Sequence, residues 1–156
     1  MVVKRRDVRI KVMQVIYAHQ MSKDPISKVK SDIIGTYDEV ENIEFSDELI
    51  NRVLENSEEF DGIISRKVNN WELDRIGVLE RILIKMAISE LLYFPEIPPK
   101  VSINEVIEIS KMYCSRNTGR FINGILDSIL DDLKKENKLN KRGRGLVDLP
   151  KKSNPG

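Results

Sequence analysis

The run RIGVLERILIKMAISELLYF, residues 75–94, constrains this chain more than any other segment. Read at helical pitch, Ile82, Leu83, Ile84, Met86, Ala87, Ile88 and Leu91 leave little of the circumference polar. A helix with one apolar stripe needs one neighbour, whereas a helix apolar nearly all round must be surrounded. The run falls short of the roughly 18 uninterrupted apolar residues of a membrane span, so its surroundings must be other helices. Pro95, Pro98 and Pro99 then stop it and force an extended connection.

Helical spacing also dominates the rest of the chain, and strand patterns are nearly absent. Val8, Val12, Val15 and Ile16 form one stripe of an opening helix, and Ile10, Met13 and Tyr17 form a second. Asp24 before Pro25 signals a second start, with Val29, Ile33, Ile34, Tyr37 and Val40 available for burial and Gly35 weakening its continuity. Ser46, with acidic residues behind it and Phe45 and Ile50 placed as a staple, predicts a third start. Phe60, Ile63, Ile64 and Lys67 predict a fourth helix over about 60–69, after which Trp71 and Leu73 lead into the central one. Ser102 and Glu105 fit an S-x-x-E capping box opening SINEVIEISKMY, and RFINGILDSILDDLKK carries the last apolar stripe. The expected architecture is all-α, with about seven helices. From residue 137 the sequence NKLNKRGRGLVDLPKKSNPG has too few apolar side chains to offset the entropy of ordering, which predicts a disordered basic tail over 137–156. Such a tail either strengthens nonspecific polyanion contact or is only solvated.

At 156 residues the chain is the length of one domain, and a hydrophobic share of 40% beside 33% charged residues is that of a globular protein. The N-terminus lacks the apolar core of a secretory signal and Cys114 is the only cysteine, which points to a reducing cytoplasm. The formal net charge of +1 conceals opposed blocks. Residues 1–11 carry +4 and residues 134–156 carry +6, leaving −9 between them. Basic ends on an acidic body suit a polyanion and, separately, a basic partner.

Catalytic chemistry is sparse. The sequence holds no glycine-rich phosphate loop, no H-E-x-x-H, no cysteine pair for zinc and a single histidine, His19, on the face of Val12, Val15 and Ile16, where packing accounts for it. Cys114 between Tyr113 and Ser115 reads as a small apolar filler, and neither a cofactor nor a metal is expected. Binding chemistry is better represented. Arg5 and Arg9 lie four residues apart with Arg6 beside them, and guanidinium forks match phosphate oxygens, although capping and solvation account for such a cluster equally well. YCSRNTGRF offers Tyr113 and Phe121 for stacking and Arg116 and Arg120 for backbone contacts, against core packing as the simpler role of Phe121.

The segments RRDVRIKVMQVIYAHQ, WELDRIGVLERILIKMAISEL, IPPKVSINEVIEISK and RFINGILD, in that order over residues 4 to about 135, resemble the NusB family of transcription antitermination factors. V-x-I-N-E-x-I-E and F-I-N-G-I-L-D are the most specific of these. The resemblance implies an all-α fold of two helical subdomains over residues 1–136. It also implies binding of single-stranded boxA RNA with the ribosomal protein NusE, work within a transcription elongation complex, and roles in ribosomal RNA transcription and ribosome biogenesis. By position it puts RNA contacts at Arg5, Arg6 and Arg9 and at Tyr113, Asn117, Arg120 and Phe121, and the NusE contact at Tyr17 and Glu80. Asp7 stands where a third arginine can occur and Asn117 where an acid can occur. Two other classes fit parts of the pattern: a purely protein-binding module or homodimer hiding its arginines, and the substrate-recruiting domain of an RNA methyltransferase, which would need a catalytic domain that this sequence does not contain.

Overall fold

The computed structural model describes residues 4–37, 39–115, 117–147 and 149. Among them are eight α-helices and no strand: α1 Arg5–Ser22, α2 Ile26–Ile33, α3 Val40–Glu55, α4 Ser57–Ser65, α5 Asn70–Arg75, α6 Val78–Tyr93, α7 Pro99–Tyr113 and α8 Thr118–Lys135. The helices α1, α2 and α3 pack together, α6, α7 and α8 form a second group, and α6 also touches α1 and α3. One contiguous apolar core joins both groups.

The central helix is as enclosed as its composition demands, since every residue from Ile82 to Leu91 is buried. That run includes Lys85, Ser89 and Glu90, and burying such groups is costly unless each has a partner. Each has one. Lys85 Nζ donates to Ser57 Oγ at 2.7 Å and pairs with Asp61 at 2.9 Å, which ties α4 to α6. Ser89 Oγ donates to the Lys85 carbonyl. Glu90 receives Arg9 from α1 and the Ser102 hydroxyl from α7.

Several boundaries differ from the local signals, for identifiable reasons. The helix α3 begins at Val40, so Ser46 is interior and its hydroxyl donates back to the Ile43 carbonyl, the alternative a serine has inside a helix. Phe45 is accordingly part of the buried face and no staple. The helix α7 begins at Pro99, where a missing N–H costs nothing. The S-x-x-E pair is then no cap: Ser102 reaches Glu90 and Glu105 reaches Arg6. The helix expected over 60–69 is α4, which starts three residues earlier and stops at Ser65, and a separate short α5 follows at Asn70, where Asn69 caps it by accepting from the Glu72 N–H and donating to the Glu72 carboxylate, each at 2.8 Å. Pro25, not Asp24, occupies the cap position of α2, and the Asp24 carbonyl accepts from His19 Nδ1 at 2.8 Å, giving that histidine the structural role expected of it. On α1, Ile10 and Met13 are buried but Tyr17 is exposed.

The predicted disorder of the tail does not hold for residues 137–147, which fold back onto the corner between α6 and α7. Lys141 Nζ donates to the carbonyls of Glu90 at 2.9 Å and Phe94 at 2.8 Å, adding a second hydrogen bond to each at the C-terminal end of α6, and burial pushes its ammonium down to about 8. An unfolded lysine titrates near 10.4, so between about pH 8 and 10.4 the unfolded chain holds a proton that the folded chain has released. Stability therefore rises with pH across that window, while below it the cost of burying the charge is fully present. Relative to Lys141→Met, the parent is expected to gain stability in denaturant titrations between pH 8 and 10; a pH-independent gap would show the ammonium to be fully solvated.

Candidate nucleic-acid interface

At the head of α1, Lys4 holds the cap position in extended backbone and Asp7 supplies the negative charge that a helix start favours. Arg5 lays its guanidinium 4.1 Å from the ring centre of Phe45, half-buried, and that burial lowers its pKa, with the nearby Arg9 charge adding to the effect. Arg6 grips Glu105 of α7 through Nε at 2.8 Å and Nη2 at 3.2 Å, a fork that raises its pKa, yet its side chain stays 44% exposed. Both remain cations at the surface.

Arg9 is not part of that surface. It is 3% exposed, with Nε and Nη2 donating at 2.9 and 2.7 Å to the two oxygens of Glu90, itself wholly buried. The expected fan of three arginines is therefore two outward guanidiniums mounted on a third that is internal. The sequence placed Arg9 on the cationic side because four-residue spacing aligns it with Arg5; nothing local reveals an acid 81 positions away.

The head of α1 opens on a basin of about 1420 Å³. Lys4, Arg5 and Arg6 form one wall and Glu41, Glu44 and Glu48 of α3 form another. Phe45 and Phe94, edge to face at 5.4 Å between ring centres, support the Arg5 platform from below.

A second, smaller cleft of about 500 Å³ lies between α5 and the start of α8. Asn117 and Phe121 line it, and so does Glu80 from the first turn of α6. Glu80 folds back over Gly77, where a Cβ would overlap its carboxylate, so glycine is what lets the acid close over the helix start. Trp71, 65% exposed, forms the outer wall with the Arg75 guanidinium stacked 4.4 Å from its ring centre. Sequence reasoning missed this pair, although an arginine four residues after a tryptophan is a helical stacking signal. Tyr113 and Arg120 are exposed and Phe121 is half-buried against the core, while Arg116 lies outside the described residues. Two of the residues expected to bind RNA, Asn117 and Phe121, thus meet Glu80, one of the two expected to dock a protein, in this cleft; Tyr113 and Arg120 do not line it, and Tyr17, the other, is exposed on α1.

Cys114 borders this region. Burial, reinforced by the charge and hydrogen bond of Glu80, pushes its thiol up to about 11, which keeps it protonated and poorly nucleophilic near neutrality. At pH 7.5 the native protein is expected to react with iodoacetamide at least tenfold more slowly than the denatured chain; equal rates would show the thiol to be exposed and ionisable. No group of three side chains suited to hold a metal occurs among the described residues, and no described helix is long and apolar enough to cross a membrane.

A transcription antitermination protein NusB of Chloroherpeton thalassium is 43% identical over 155 residues, covering 97% of this chain and 73% of the relative. The fold is similar to T. maritima NusB, with a TM-score of 0.76 and 32% identity over 85% of this chain and 94% of that one. It is also similar to a structure of the antitermination factors NusB and NusE in complex with double-stranded RNA, with a TM-score of 0.72 over 82% of this chain and 96% of that one, where 21% identity speaks for the fold alone. Residues 6–131, most of the helical body built around the buried Arg9–Glu90 pair, match the NusB family model, and the chain belongs to that family.

Proposed function

We propose that this chain is an RNA-binding antitermination factor that captures boxA-type RNA together with the ribosomal protein NusE, and acts in ribosomal RNA transcription and ribosome biogenesis. The observation that carries the reading is the head of α1, where Phe45 and Glu105 fix Arg5 and Arg6 in orientation without removing them from solvent. Oriented guanidiniums recognise a particular path of phosphates, which a floppy basic arm cannot do. The cleft of Trp71, Asn117 and Phe121 adds an aromatic surface for an unstacked base, and Glu80 beside it supplies an acid for a basic ribosomal protein.

A few phosphate contacts to a single strand give weak, salt-sensitive binding, each contributing about 0.7 to the slope of log affinity against log salt. The partner then adds surface along the same strand. Anisotropy titrations with labelled single- and double-stranded boxA RNA, with and without NusE, test this. Capture should be weak alone, tighter with NusE and salt-dependent in both cases. Indifference to NusE and to salt would refute the reading. In this role the protein works in the cytoplasm as part of the elongation complex and performs no catalysis.

A second reading rests on Val101 and Met112, exposed apolar side chains of α7 on the rim of the α1 basin. A homodimer closed over that rim would cover both and occlude Arg5 and Arg6. Sedimentation distinguishes the two readings, since this one requires a stable dimer without salt-sensitive RNA binding.

A further inference from the structure

We infer that the segment after α8, residues 137–147, is a fixed strap that extends the RNA-binding wall of α1, with Arg142 and Arg144 contacting the phosphates of a single strand that runs on from Arg5 and Arg6. The inference rests on the RNA-binding reading above.

The strap is positioned by contacts that do not involve its two arginine side chains. Asn137 adopts the left-handed conformation, φ 55°, and the Lys138 N–H donates to the Leu133 carbonyl, which turns the chain off the end of α8. Leu139 packs on the core and Lys141 is anchored to the last carbonyls of α6. The Arg142 N–H donates to the Pro95 carbonyl at 3.1 Å, and a 3-10 turn follows over Gly143–Leu146. Gly145 lies directly against Pro95, where a Cβ would overlap the carbonyl oxygen, so the backbone fits only with glycine at that position.

This path determines where the charges go. Residues 137–147 contain Lys138, Lys141, Arg142 and Arg144 and no carboxylate. Lys138 pairs with Glu136 and Lys141 is consumed by the α6 carbonyls. Arg142 spends only its Nε on Glu96, at 3.1 Å, with its side chain 74% exposed, and Arg144 is exposed. Both arginines line the basin that Lys4, Arg5 and Arg6 line from α1. Five cations from the start of α1 and the strap thus share one concavity with Asp7, Glu96 and Glu105, of which Glu105 is engaged by Arg6 and Glu96 by Arg142, and Glu41, Glu44 and Glu48 of α3 repel phosphate and favour a path along the guanidiniums. The strap lies beyond residues 6–131, which the family model matches.

The test uses the full chain, NusE and a labelled boxA RNA long enough to cross the basin, titrated at several salt concentrations. Arg142→Ala/Arg144→Ala removes the charge and leaves the backbone anchors, and Gly145→Ala keeps every charge but unseats the strap. Two lost contacts should lower the salt slope by about 1.4, so that a fourfold rise in salt costs the double variant about sevenfold less than the parent. Gly145→Ala should show a similar fall. An unchanged slope in the double variant overturns the proposal. So does a normal Gly145→Ala, which would make the arginines a loose arm, or a loss of NusE affinity in the absence of RNA, which would make the strap a protein-docking element. If the parent itself shows no salt-dependent capture, the RNA reading fails, and that result is distinct from a parent that binds and variants that match it.

Discussion

Replacing Glu90 with alanine is expected to remove about 3–5 kcal/mol of stability, the cost of leaving one member of a buried ion pair without its partner. Arg9 would keep a charge that is 3% exposed and has only Glu105, 4.0 Å away, to answer it. The Ser102 hydroxyl, also buried, would lose its acceptor. For a chain of this length that loss amounts to a fall of roughly 10 °C in Tm, readable with a shift of the urea midpoint at constant m-value. The double change Arg9→Met/Glu90→Leu should recover most of it, because two apolar side chains of similar volume need neither desolvation nor pairing. A loss below about 1 kcal/mol in Glu90→Ala would mean that water reaches the pair and that the head of α1 is anchored by something else.

The second large effect is on binding. Arg5→Ala/Arg6→Ala should weaken RNA capture in the presence of NusE by roughly thirtyfold, equivalent to about 2 kcal/mol for two charge-assisted contacts. The salt slope should fall by about 1.4. Stability should change little by comparison, since a surface fork to Glu105 and a half-buried stack on Phe45 contribute about 1 kcal/mol each at most. The contrast with Arg9 is the informative part: Arg9→Ala should damage the fold, and Arg5→Ala/Arg6→Ala should damage recognition while the protein melts almost normally. Should the double variant bind RNA like the parent, the head of α1 is not the RNA site.

What the sequence made legible follows the range of the interactions involved. The all-round apolar character of Ile82 to Leu91, the stripe through Ile122, Ile125, Leu126 and Ile129, and the proline stop after Phe94 are local signals, and the structure has these elements where they point. Ser46 and Ser102 were misread because a serine before acidic residues looks the same whether it caps a helix or lies within one; only the longer apolar faces of α3 and α7 decide between the two. Arg9 was misread because its partner is 81 residues away, and Glu105 looked like half of a capping box when it is the acceptor for Arg6. The strap escaped an argument from composition because it is ordered by a few specific contacts, chiefly Lys141 and the Arg142 N–H on carbonyls of the α6–α7 corner, and not by a broad apolar face. The sequence places Trp71 only on the approach to the central helix, and the separate turn of α5 shows it exposed and stacked with Arg75.

Glu90 receives α1 and α7 through its carboxylate and the C-terminal segment through its own carbonyl. The first helix and the segment that follows the last one are therefore moored to a single residue near the C-terminal end of the most buried helix. Termini ordinarily loosen first and independently. Here, peeling away either one removes support from the other, so the two form a single cooperative unit whose opening exposes both halves of the cationic rim at once.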